Sequence, residues 1–250
     1  MGGQVRSPIT FGRKIGDLMN GVILYEGLSK LDAQPLVVIA TGLVNPSQNG
    51  KTGEMIQVWI LRSDMHPMEA IVSGHDYSIC GDCIHRKHSN PNKKRTCYVR
   101  ADGFNAVFRA YLRGNYPTYS PSKHLRYFKE QEIRWGAYGD PALIPYVIVE
   151  QLSAICPGWT GYTHLWKREG MEIYQDYFQA SCDNLEDYFL AEKNGWATFH
   201  VLRDNETHIK GKQVVCQGGV KTTCKKCLLC NGKDKKHIVE KIKGGAKKNY

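Results

Sequence analysis

The chain has 250 residues, 42% hydrophobic and 23% charged, which is enough apolar material for one folded domain with a small appendage and argues against wholesale disorder. Nine cysteines, an odd number that includes Cys-x-x-Cys spacings, do not read as a secreted disulfide framework and point to metal ligation in a reducing compartment. The formal net charge of +10 is uneven. From Asn205 to Tyr250 there are twelve Lys against Glu206, Asp234 and Glu240, a net +9, and Arg86, Lys87, Lys93, Lys94, Arg95 and Arg100 form a second basic run with no acid between Ile84 and Arg100. Both basic stretches coincide with cysteine clusters, so an anionic partner, nucleic acid first, is expected beside the plainer reading of a solvated surface. No run of about 18 apolar residues is present, which excludes a membrane-spanning helix. Met1–Lys14 lacks an apolar secretory core, and Arg6 stands where a myristoylation signal needs Ser or Thr, so a cytoplasmic location is expected.

In chain order, Pro35–Leu43 and Met55–Arg62 are apolar, β-rich runs that predict two buried strands, joined by turn chemistry at Ser47–Gly53. A loop from Ser63 to Cys97 follows, long enough to need something to hold it. Phe104, Val107, Phe108, Tyr111 and Leu112 repeat at helical spacing, with Gly114 at a C-terminal cap position. Asn115–Lys123 reads as loop and Glu132–Tyr138 as a strand. Asp140 is an N-cap with Pro141 at the first helical position of a helix running to about Ala154. Thr160–Trp166 and Tyr177–Ser181 are the next strands, Asn184 caps a helix that ends at Gly195, and Trp196–Leu202 and Val214–Val215 are the last strands. Strands alternating with helices imply parallel βα units. The expected fold is α/β, an incomplete or small β/α barrel over residues 1–205, with an open doubly wound sheet as the alternative. A cysteine-rich metal-binding segment at 206–232 and a frayed basic tail at 233–250 complete the expected organisation.

The C-terminal cluster is Cys216-x7-Cys224-x2-Cys227-x2-Cys230. Short loops between such cysteines let backbone amides face sulfur, as in ferredoxin-type sites, and structural zinc is the alternative. Lys221, Lys225 and Lys226 are placed to offset the thiolate charge. The first cluster, Cys80-x2-Cys83-x13-Cys97, encloses His85 and His88. Read with zinc it is a closed Cys3His site through His85; read with iron–sulfur, three cysteines leave one iron free. Cys156 and Cys182 read as small buried residues.

From Met55 to Gly232 the layout resembles the radical S-adenosylmethionine superfamily: a strand leads to the cysteine loop and Cys97–Tyr98, and the strand from Ile133 ends in a Tyr138–Gly139–Asp140–Pro141 turn. The spacing departs from that family's Cys-x3-Cys-x2-Cys, and Asp140 stands where the family has Glu. The resemblance implies an iron–sulfur cluster on Cys80, Cys83 and Cys97, S-adenosylmethionine against Tyr138, Gly139 and Asp140, and an auxiliary C-terminal cluster. The segments SICGDC, RTCYV and GAYGDP are also similar to an uncharacterised family of bacteriophage proteins. A second resemblance is to tRNA-guanine transglycosylases and their phage DNA-modifying relatives, β/α barrels with a C-terminal zinc site, which implies Asp140 and Asp183 as nucleophile or base.

Catalytic groups of α/β folds sit at the C-terminal ends of strands. There the sequence holds Asp140, His164 and Asp183 as candidate acids or bases, each with a plainer structural role as a cap or core residue. Lys93, Lys94, Arg95, Lys225 and Lys226 are candidate nucleic-acid contacts. Three readings follow: an iron–sulfur enzyme using S-adenosylmethionine on a nucleotide or nucleic acid, a zinc-containing transferase inserting a modified guanine into DNA, and a non-enzymatic zinc-stabilised nucleic-acid-binding protein. No P-loop, dinucleotide fingerprint, Gly-x-Ser-x-Gly or His-Glu-x-x-His is present.

Overall fold

The computed structural model describes residues 20–241, apart from 91, 93, 204 and 205. Expectations for the N-terminal residues 1–14, for Lys93 and for the tail from 242 onward lie outside the described residues. Two antiparallel strands open the fold, β1 (Gly21–Leu28) and β2 (Pro35–Thr41), and β3 (Ile56–Arg62) pairs antiparallel with β2. Leu36–Ala40 are fully buried, which explains why this run is apolar on both faces.

The long stretch after β3 is less irregular than its sequence implies. It holds α1 (Pro67–Ser73) and the single turn α2 (Tyr77–Cys80). The side chain of Arg86 is buried within the loop. It bonds Asp76 Oδ1 and the carbonyls of Gly74 and Gly81, so an internal cation braces the segment. Helix α3 (Ala101–Leu112) buries Phe104, Val107 and Phe108 as its periodicity predicts, whereas Leu112 is exposed. The expected loop at Asn115–Lys123 runs into α4 (Pro121–Lys129), whose Pro121 occupies the first turn, where a missing N–H costs nothing.

β4 (Ile133–Tyr138) runs parallel to β3. The helix expected from Pro141 to about Ala154 is interrupted at Pro145. A short 3-10 turn, Pro141–Leu143, precedes α5 (Tyr146–Ile155). The strand expected at Thr160–Trp166 is also broken. β5 (Trp159–Thr160) closes the first sheet and β6 (Tyr162–Thr163) opens the second, with Gly161 between them. β7 (Gln179–Cys182), α6 (Leu185–Lys193) and β8 (Thr198–Leu202) follow. The Asn184 side chain caps α6 by accepting from the Asp187 amide, as expected.

β9 (Gln213–Val215), the single turn α7 (Cys224–Cys227) and β10 (His237–Lys241) end the described chain. The sheet orders are β1-β2-β3-β4-β5 and β6-β7-β8-β10-β9, and every pairing from β3 onward is parallel. The protein is therefore mixed α/β with two parallel-rich sheets. Beyond β2, β1 carries only a short bridge from Ile23 to Thr118, and among the described residues no pairing joins the two sheets, so a closed barrel is not shown. No helix among them is long and apolar enough to cross a membrane.

The frayed tail expected from Lys233 is corrected at His237–Lys241. This segment is inserted between β8 and β9, with Ile238 and Val239 buried. Its two apolar residues sit in a lysine-rich stretch, which hides the strand from composition. Ile238→Ala is expected to destabilise the protein by about 2–5 kcal/mol, the range for truncating a buried aliphatic side chain. Urea unfolding measures this; a midpoint equal to the parent's would place the segment outside the core.

Candidate metal centres

The parallel order brings the C-terminal ends of β3, β4, β6 and β7 to one edge, and the first cysteine set gathers there. A cleft of about 90 Å³ is lined by Cys80, Cys83, Cys97, His85, Tyr138, Gly139, Asp140, His164 and others. Burial raises the thiols of Cys80 and Cys97; the Asp76 charge and the Cys83 and Cys97 sulfurs add to it at Cys80, and at Cys97 the Cys83 sulfur adds to it against the opposing charge of Arg95. The three cysteines thus lie within electrostatic reach of one another although Cys97 is remote in sequence.

The turn after β4 forms one wall. Gly139 has φ of +80°, and a Cβ there would lie 2.7 Å from Ile60 Cβ and 2.8 Å from the Ile60 carbonyl oxygen, so a side chain is excluded twice over. The next amide, Asp140 N–H, donates to Ile79 O at 2.7 Å and ties the turn to the residue before Cys80. The Asp140 carboxylate faces inward. Oδ1 accepts from Ala142 N–H at 3.0 Å and Thr163 Oγ1–H at 2.6 Å, and Oδ2 accepts from His164 N–H at 2.8 Å. Burial raises its pKa despite those donors. Asp140 is therefore both the expected cap and a clamp between β4 and β6.

Tyr138 stacks on Phe104 at a 4.4 Å centroid separation, and its buried hydroxyl has no hydrogen-bond partner among the described residues. An orphaned buried hydroxyl at a cleft wall is a vacancy in the hydrogen-bonding of the core that a ligand can fill.

The His85 carbonyl accepts from Cys97 N–H at 3.1 Å, while its ring turns to other partners. Its Nδ1 meets Thr96 Oγ1 at 3.0 Å and its Nε2 lies 3.3 Å from Asp183 Oδ1. His164 Nε2 lies 3.6 Å from Asp183 Oδ2. These ligand atoms of His85, His164 and Asp183 all fall within 4.8 Å of one another, and among the described residues no other group of three or more His, Cys, Asp or Glu does so. The expected Cys3His set through His85 is not among the described groups whose ligand atoms lie within 4.8 Å of one another; the His85 ring faces Thr96 and Asp183. Burial alone would raise the Asp183 pKa, but the charge of His164, and the charge and hydrogen bond of His85, hold its carboxyl well below the usual range. Burial disfavours the charged form of His164, and Cys83 and Asp183 outweigh it, so its pKa is raised well above the ordinary histidine value.

The second set also converges. Cys216, Cys224, Cys227 and Cys230 line a cavity of about 180 Å³ together with Thr160, whose buried hydroxyl has no partner among the described residues. Burial raises the thiols of Cys224 and Cys230, reinforced by the other sulfurs. The segment is woven into the domain. Cys224 and Lys225 amides donate to the Lys51 and Thr52 carbonyls, Cys216 N–H to Val239 O, and Gly161 N–H to Cys230 O.

The lysines expected to balance this set do so only in part, because Lys225 reaches Glu54 and Glu132 at 3.5 and 3.8 Å. Lys51 and Arg134 are the cations whose charge favours the Cys224 thiolate. Neither was singled out in sequence, although an arginine in the apolar strand Ile133–Tyr138 was a readable signal. Of the expected nucleic-acid contacts, Lys94 and Lys226 are exposed, whereas Arg95 turns to Val99 O and lies over the Phe104 ring.

No family model matches this chain, and no curated protein or solved structure is detectably similar to it. Asp140→Asn leaves an amide NH2 where an acceptor meets a donor and is expected to cost about 1–3 kcal/mol, as for a buried unsatisfied pair. Chemical denaturation measures the change; unaltered stability would show the carboxylate is not holding β4 to β6.

Proposed function

We propose that this protein is a metal-dependent enzyme in which Cys80, Cys83 and Cys97 hold an iron–sulfur cluster with one iron left open to S-adenosylmethionine, acting on a nucleotide or nucleic acid. The observation that carries the reading is the convergence of Cys80, Cys83 and Cys97 on one cleft whose wall holds the Gly139 turn and the orphaned Tyr138 hydroxyl. Three thiolates leave one iron of a four-iron cluster without a protein ligand. Cys216, Cys224, Cys227 and Cys230 converge on a second cavity and supply a full set of four thiolates.

When bound, such a cluster supplies one-electron reduction to the sulfonium compound ligated at its open iron. The chain's own residues do the rest. The Gly139 turn lets the backbone approach closely at the cleft wall, and the Tyr138 hydroxyl offers a hydrogen bond without a present partner. An adjoining groove of about 400 Å³ shares Tyr98 and Val99 with the cleft and carries Lys51, Arg100, Arg134 and Trp59. Cations beside aromatic faces suit a phosphate and a base, which favours a nucleotide-containing substrate. The base-transglycosylase reading needs a carboxylate facing that substrate, whereas Asp140 is turned to Ala142, Thr163 and His164, and Asp183 to His85 and His164.

Protein purified without oxygen is expected to be brown, with iron and acid-labile sulfide approaching about eight irons per chain for two four-iron clusters. Replacing Cys80, Cys83 and Cys97 together with Ala should remove about half of that iron and all binding of S-adenosylmethionine. Colourless protein with about two zinc ions per chain would overturn the reading.

A further inference from the structure

We propose that His85, His164 and Asp183 form a mononuclear site for a divalent transition cation, beside the first cysteine set and using none of its sulfurs, with its open coordination position facing the cleft. The proposal does not rest on the iron–sulfur reading. Three independent chain segments meet here: His85 from the cysteine loop, His164 after β6 and Asp183 after β7.

The distances suit a single ion. A tetrahedral metal with N and O ligands at about 2.0–2.2 Å separates neighbouring ligand atoms by roughly 3.3–3.6 Å. His85 Nε2 lies 3.3 Å from Asp183 Oδ1 and His164 Nε2 3.6 Å from Asp183 Oδ2, so the carboxylate presents one oxygen to each imidazole, and with one ligand atom taken from each residue all three lie within 4.8 Å of one another. The 3.6 Å separation is too long for a good hydrogen bond, and the buried His164 Nε2 has no hydrogen-bond partner among the described residues. The two imidazole rings are near perpendicular, at 77° with centroids 5.8 Å apart, so their nitrogens approach one point from different directions without stacking.

The surroundings also suit a metal. Metal-bound histidines usually have the second ring nitrogen held by an oxygen, which fixes the tautomer and the ring's direction. The buried Thr96 hydroxyl does this for His85 Nδ1 at 3.0 Å. His164 is fixed through its backbone, because its amide donates to Asp140 Oδ2 at 2.8 Å. Both histidines line the cleft. Two imidazoles and one carboxylate leave a coordination position for water or substrate, the donor set of open zinc and non-haem iron sites.

Zinc is the probe. The full-length protein is stripped with a chelator, reloaded with Zn²⁺ under reducing conditions, and its bound zinc counted. Asp183→Asn and His164→Gln are expected to hold one zinc fewer than the parent, whereas Cys80→Ser retains that ion. Thr96→Val, which frees the His85 ring, should weaken this zinc about 10–100-fold. Circular dichroism establishes that the variants are folded. Equal zinc content in folded Asp183→Asn and parent would overturn the proposal. Should the variants not fold, crystals of the parent protein soaked in zinc decide it. An anomalous peak bonded to His85, His164 and Asp183 supports the site, and its absence refutes it. Failure of the iron–sulfur reading would show separately, as colourless protein that still takes up this zinc.

Discussion

The functional edge of this protein depends on one close approach, that of the turn after β4 to the end of β3. Gly139 sits against Ile60 with no room for a Cβ, and its φ of +80° turns the chain so that the next residue faces two directions at once. The Asp140 amide takes the cysteine loop through Ile79, and its carboxylate takes β6 through Thr163 and His164. A buried carboxylate is costly unless donors surround it, and here the donors are the backbone and hydroxyl groups that position the site. Cys80 and His164 are thereby referred to a common point, although 83 residues separate them in the chain.

The second organising feature is the break at Gly161. A Cβ there would lie 2.7 Å from Phe178 Cδ1, and the backbone turns away from β5 before β6 begins. The Gly161 amide, freed from the ladder, donates to Cys230 O. Trp159 Nε1–H reaches Asn231 O at 3.0 Å, and Gln179 Nε2 reaches Leu229 O and Lys236 O. The cysteine-rich segment therefore satisfies polar groups that the break would otherwise leave buried and unpaired. It is better described as the joint between the two sheets than as an appendage.

Legibility in the sequence followed the range of the interactions. Strands with apolar runs, Pro35–Thr41 and Ile56–Arg62, and caps written in local chemistry, Asp140 and Asn184, were readable because neighbouring residues decide them. β1 was not identified, because its second half alternates with exposed Glu26 and Leu28 and its pairing with β2 is what orders it. β10 is short and flanked by lysines, and it is fixed by pairing with β8 and β9. The cysteines were legible by spacing alone. The partner of His85 was not, since Asp183 lies 98 positions away and only the parallel order of β6 and β7 brings it near.

The two cysteine sets are also connected by charge. Arg134 is buried and donates to the hydroxyls of Tyr162 at 2.8 Å and Tyr98 at 3.3 Å, which themselves line the first cleft and bond to each other. It pairs with no carboxylate among the described residues. A guanidinium keeps its charge under all ordinary conditions, and phenols offer dipoles without a counter-ion. Burial works against the cation, and the nearby oxygens and the Cys224 sulfur work in its favour. Burial also raises the Cys224 and Cys230 thiols, and a coordinating thiol gives up its proton. On the proposed reading, ligated sulfurs of the second set would stand beside Arg134 while its two tyrosines face the first cleft, which gives a physical reason for an arginine near the start of a buried parallel strand.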